Sequence, residues 1–104
     1  STKNNTSVKN QLLKEYIGVA INLAQDTVIA LNQNIVEDLK NNAVDGKLTD
    51  AEKAEIKKHA LETIYTTLND EIKNVLSKVY GDLPNWIQVQ IDKAVAEEKA
   101  KKTT

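Results

Sequence analysis

The chain has 104 residues, about one domain, and a chain of that length buries roughly 60 to 70% of the surface its unfolded form exposes. Good helix formers dominate, with only 3 Gly and 1 Pro, so an all-β fold is excluded and an all-α fold is expected. The 14 basic residues are all lysine and stand against 15 acidic ones for a net charge of −1; such a chain neither draws in phosphate backbones nor offers a guanidinium to read them, so nucleic acid is not an expected partner.

Residues 1–7 are polar and read as a disordered lead. There is no Met anywhere, not even an initiator, so the chain reads as a fragment of a longer protein. Helical periodicity then runs from residue 8 to about 39. Within it Ile17, Ile21, Ala24, Val28, Leu31 and Ile35 alternate spacings of four and three, the seam of a coiled coil. A second line, Leu13, Tyr16, Ala20, Leu23 and Ala30, widens the apolar face beyond what one partner helix covers, so two neighbours are implied. Unbroken, this helix would be about 48 Å long, longer than a compact domain of this size is wide, so an elongated shape or a kink near Gly18 is expected.

Asn41 and Asn42 should end the first helix by competing for backbone hydrogen bonds, and Asp45 and Gly46 should form a turn. Thr49 and Glu52 have the spacing of a capping box, with Asp50 adding negative charge at the positive end of the helix dipole. The second helix carries Ile56, Ala60, Ile64, Leu68, Ile72, Val75 and Val79 on one face, with Asn69 and Asp70 able to cap a fresh start after a break near Leu68. Gly81 suits the left-handed position that closes a helix, and Asp82, Leu83 and Pro84 suit the cap and first turn of a third. That helix shows Leu83, Trp86, Ile87, Ile91, Ala94 and Val95, and residues 99–104 read as a frayed charged tail. The expectation is one domain over residues 1–104: an elongated three-helix bundle, a long antiparallel hairpin plus a shorter C-terminal helix.

Residues that carry chemistry are sparse. Without Cys there is no disulfide, thiolate zinc site or cysteine nucleophile. Residues 41–52 overlay a calcium-binding loop at Asn41, Asp45, Thr49 and Glu52, but Asn41 is neutral and Ala43 offers no side-chain oxygen, and a turn followed by a capping box needs the same residues. His59 has Glu55 and Glu62 one turn to either side but Ile56 three residues before it, where bundle metal sites place a Glu, and Ser7 and Ser77 have no neighbouring base in a recognisable motif. The isolated Gly18, Gly46 and Gly81 make no phosphate-binding loop. No enzyme activity, cofactor or small-molecule substrate is expected. The longest apolar run, residues 16–21, is far short of the ~20 that cross a bilayer.

Two features point to association instead. Tyr80, Gly81, Leu83 and Trp86 form an aromatic corner that pins a helix junction and, if exposed, would anchor a protein partner. The seam from Ile17 to Ile35 calls for a second helix or a copy of itself, and the width of the face favours a homo-oligomer. The alternatives are a soluble structural or assembly protein that binds another protein through the Trp86 surface, and a calcium-responsive helical module using Asn41 to Glu52.

Three stretches together resemble a family: YIGVAINLAQDTVIALNQNIVEDL at 16–39, LTDAEKAEIKKHALETIYTTL at 48–68 and VYGDLPNWIQVQI at 79–91. They are similar to the soluble part of small phage-encoded holin-like proteins of low-GC Gram-positive bacteria, the LLH holin type. The resemblance covers residues 16–98 and rests on helical patterning plus the corner of Tyr80, Gly81, Asp82 and Trp86. It implies a membrane segment ahead of the first helix, association with a bacterial membrane, and a bundle that gathers copies there during host lysis or a related phage step. No catalytic residues carry over.

Overall fold

A computed structural model describes the backbone of residues 2–103 and the side chains of residues 9–101. Every regular element among the described residues is helical. These are α1 (Thr2–Leu31), a π-helical turn (Asn32–Val36), α2 (Glu37–Asn42), α3 (Asp50–Thr67), α4 (Asp70–Tyr80) and α5 (Leu83–Thr103). The first three form one rod, because Leu31, Val36 and Glu37 at the joints all keep right-handed helical dihedrals. The chain reverses after α2, runs back through α3 and α4, reverses again at Gly81 and returns beside the rod as α5. Tyr16 on α1 accordingly meets Glu71 at the start of α4, while Val28 and Val36 lie with Ile56 of α3 and Val95 of α5 at the other end. The result measures 64 × 27 × 18 Å with a radius of gyration of 16.6 Å, against about 13 Å for a compact chain of this length. The expected elongation is present, without a break at Gly18.

Local chemistry explains most of the element ends. The Thr49 hydroxyl accepts from the Glu52 amide at 3.1 Å and the Glu52 carboxylate accepts from the Thr49 amide at 2.8 Å, a complete capping box that starts α3. Its far end is undone by threonines. The hydroxyls of Thr66 and Thr67 donate to the carbonyls of Glu62 and Thr63 at 2.8 and 2.6 Å, competing with the helix ladder. Leu68 then turns extended at ψ 133°, and the Asn69 side chain accepts from the Ile72 amide at 2.9 Å to start α4. The second long helix is therefore two helices. At the ends, the helical backbone of α1 begins at Thr2 and that of α5 reaches Thr103, through stretches that read as disordered or frayed in the sequence. The tail of α5 is rich in Ala, Glu and Lys, good helix formers, and carries a Lys101–Glu98 pair at 3.3 Å.

The core is built from small residues facing large ones. Ala20 and Ala24 of α1, Ala60 of α3 and Ala94 of α5 are buried and let the helix axes approach, while Ile64, Leu76, Leu83, Ile87 and Ile91 fill the space between them. Two apolar lines differ from their sequence reading. In the rod Ala24 and Val28 are buried and Ile17 and Leu31 partly so, but Ile21 is half-exposed outside the core cluster, and Ile35 is exposed while Val36 is buried in its place. The buried positions 20, 24, 28 and 36 step by multiples of four, a spacing that drifts by about 40° for every four residues on an α-helix. The wide π turn, closed by the Glu37 amide on the Asn32 carbonyl, takes up an extra residue and brings Val36 back to the core side. In α4 Leu76 replaces Val79, which is 50% exposed, because the break at Leu68 restarts the helix in a new phase.

Gly18 lies within α1 with nothing within 4 Å of the place a Cβ would occupy. Gly18→Ala should therefore stabilise the fold by about 0.5–1 kcal/mol through lost unfolded-state entropy. A melting temperature equal to or below that of the parent chain would show that α1 is not a regular helix there.

Candidate functional site

With the buried side of α1 committed to the core, a second stripe is left on its flank. Leu12, Tyr16, Val19, Leu23, Asp26 and Ala30 follow one another at spacings of four and three and fall within about 80° of arc. Val19 is 47% exposed and Leu12 37%, Asp26 and Ala30 are exposed, and Tyr16 and Leu23 are half-buried where the stripe borders the core. By sequence Tyr16, Leu23 and Ala30 belong to a broad inner face that does not include Leu12, Val19 and Asp26. Their four-and-three spacing is visible in the sequence, but only the burial of Ala20, Ala24 and Val28 shows which of two adjacent stripes stays uncovered.

Tyr16 also ties this stripe to α4. A hydrogen bond with the Glu71 carboxylate raises its phenol above the ordinary value, with burial and the negative charges of Glu71 and Glu15 adding to the effect. A phenol held protonated in the folded state contributes stability below the unfolded value near 10 and loses it as pH rises through the folded one. Tyr16→Phe should flatten the alkaline end of the stability profile. An identical alkaline decline in both proteins would place the cause elsewhere.

The corner residues come together as a unit. Gly81 has φ 73° and ψ −77°, and the Asp82 amide donates to the Tyr80 carbonyl at 2.8 Å, so the chain turns through a three-residue γ-turn, not through the left-handed helical cap expected from the sequence. Asp82 then caps α5, its carboxylate accepting from the Asn85 amide at 3.1 Å. Leu83 is buried, and the half-buried Trp86 ring stacks on Tyr80 with centroids 4.5 Å apart and planes 17° from parallel. The indole spends one face within the corner, and Pro84 beside it is exposed.

The four calcium-loop residues are placed as a turn and a cap. Asn41 lies in α2, Asp45 accepts from the Lys47 amide at 3.0 Å, and Thr49 and Glu52 are engaged with each other. Among the described residues no group of three or more His, Cys, Asp or Glu side chains is arranged to hold a metal ion, and His59 is exposed. At the same end of the molecule α1, the π turn, α2, α3 and α5 enclose a cleft of about 350 Å³.

Among the described residues no helix is long and apolar enough to cross a membrane. The chain is an all-α protein of elongated form. It matches no family model, no curated protein and no solved structure.

Proposed function

We propose that this chain is a non-enzymatic interaction domain that associates with copies of itself, side by side, through the flank of α1. The carrying observation is the stripe in which Leu12, Val19 and Ala30 are exposed and Tyr16 and Leu23 are half-buried, whose alternating spacing is the one a parallel neighbouring helix accepts knob into hole. In this reading α3 and α4 act as one bent arm, and the domain works as an elongated three-helix bundle whose α1 has a covered side and a docking side. The resemblance to holin-like phage proteins supplies the setting: a separate hydrophobic segment holds copies at a membrane in one orientation, which raises their effective concentration and permits a weak seam to act.

Sedimentation velocity tests the self-association. A concentration-dependent dimer or larger species is expected in the tens of micromolar range. Val19→Lys should weaken it by roughly tenfold or more, since lysine in the seam loses apolar contact and faces its own copy. Asp26→Leu should act in the opposite sense by removing a carboxylate from the middle of the same stripe. A monomer at all these concentrations, or equal behaviour of both variants, would remove the reading. The membrane setting is tested apart from it, by fractionating cells that express the full open reading frame; recovery free of the membrane would sink that half alone.

A further inference from the structure

We propose that the cleft at the α2 end of the molecule binds a single-chain anionic amphiphile, a fatty-acid-like carboxylate whose acyl chain lies on the apolar floor and whose head sits among lysines. Val28, Leu31, Val36, Ile56, Ile91 and Val95 supply the floor. The volume of about 350 Å³ falls in the range of small-molecule pockets. Five lysines line the same space, Lys40, Lys47, Lys53, Lys57 and Lys99, with Glu98 the only carboxylate. Lys57 is paired with Asp92 at 3.0 Å and Glu98 with Lys101 at 3.3 Å. Among the described residues the other four lysines have no carboxylate within ion-pair distance. A chain of net charge −1 thus concentrates unpaired positive charge around one apolar recess, and the lysine stems extend the apolar wall while their ammonium groups reach the rim. An acyl chain satisfies the floor and its anionic head satisfies the rim, which neither a neutral nor a cationic amphiphile does.

The occupant is a free molecule, not a bilayer. The cleft is concave, lined from the rod, α3 and α5 and by Gly46, Lys47 and Leu48 of the loop between α2 and α3, whereas a membrane surface meets a convex amphipathic face. The π turn contributes Val36 to the cleft wall, which Val28 also lines. This inference does not rest on self-association, because all of the lining belongs to one copy.

The test is titration of the full chain with dodecanoate below its micellar concentration, followed by calorimetry and amide chemical shifts. Saturable one-to-one binding is expected, with shifts centred on Val28, Val36 and Ile56. The double variant Lys53→Glu, Lys99→Glu should bind roughly tenfold or more weakly, and Lys53→Arg, Lys99→Arg should bind like the parent. Lys53 and Lys99 are exposed, so an unchanged melting temperature will show that the variants are folded. Equal binding of dodecyltrimethylammonium, no saturation, shifts centred on Leu12 and Val19, or uptake only from anionic vesicles or an acidic amphipathic peptide would each overturn the proposal.

Discussion

Ile64→Ala is expected to lower the free energy of unfolding by about 3–4 kcal/mol, a large part of the 5–15 kcal/mol that holds a domain of this size together. Ile64 is 0% exposed and belongs to the one cluster that includes residues of α1, α3, α4 and α5. It is also the last fully buried side chain of α3 before the threonine break, and its carbonyl accepts from the Leu68 amide at 3.0 Å. The neighbouring rod contributes Ala20 and Ala24, whose single methyl groups cannot reach into a void, so the space left by three carbon atoms would stay largely open. Urea unfolding followed by circular dichroism reads the loss directly, and Ile64→Val serves as the graded control at about 1 kcal/mol. A loss below about 1 kcal/mol for the alanine variant would show that α3 does not close on the rod as described.

What the sequence made legible is what short-range chemistry decides. The Thr49 and Glu52 capping box, the Asn69 cap after Leu68 and the Asp82 cap of α5 each need only three or four neighbouring residues, and each is found where the side chains placed it. The helical class was equally plain, because good helix formers fill nearly every turn. The departures within the apolar lines are ones of phase. Ile35 and Val79 lie on the right stripe of an ideal helix, yet a π turn and a restarted helix moved Val36 and Leu76 into the core instead. The π turn has no local signature; the restart does, in Asn69 and Asp70, but they mark the break and not the phase in which α4 resumes. The lysine cleft was hidden for a similar reason, since its five lysines come from α2, the following loop, α3 and α5.

Gly81→Ala should cost about 2 kcal/mol, although a methyl group at that position meets nothing within 4 Å. The cost lies in the backbone. At φ 73° and ψ −77° the turn occupies a conformation open to glycine and strained for any residue with a Cβ, and the 2.8 Å bond from the Asp82 amide to the Tyr80 carbonyl fixes it there. Relaxing the turn would move Asp82 away from its cap on Asn85, pull the fully buried Leu83 out of register and separate the stacked rings of Tyr80 and Trp86. The variant should therefore melt roughly 10 °C lower and also change the near-ultraviolet circular dichroism of the aromatic pair. Asp82→Ala, which removes only the cap, should cost about 1 kcal/mol and leave that aromatic signal in place. Gly46 gives the contrast, with φ 70° in an exposed turn outside the core cluster, so Gly46→Ala should lower the melting temperature without touching the aromatic signal. A Gly81→Ala protein as stable as the parent, with the same near-ultraviolet spectrum, would mean that the helix junction is not held by this γ-turn.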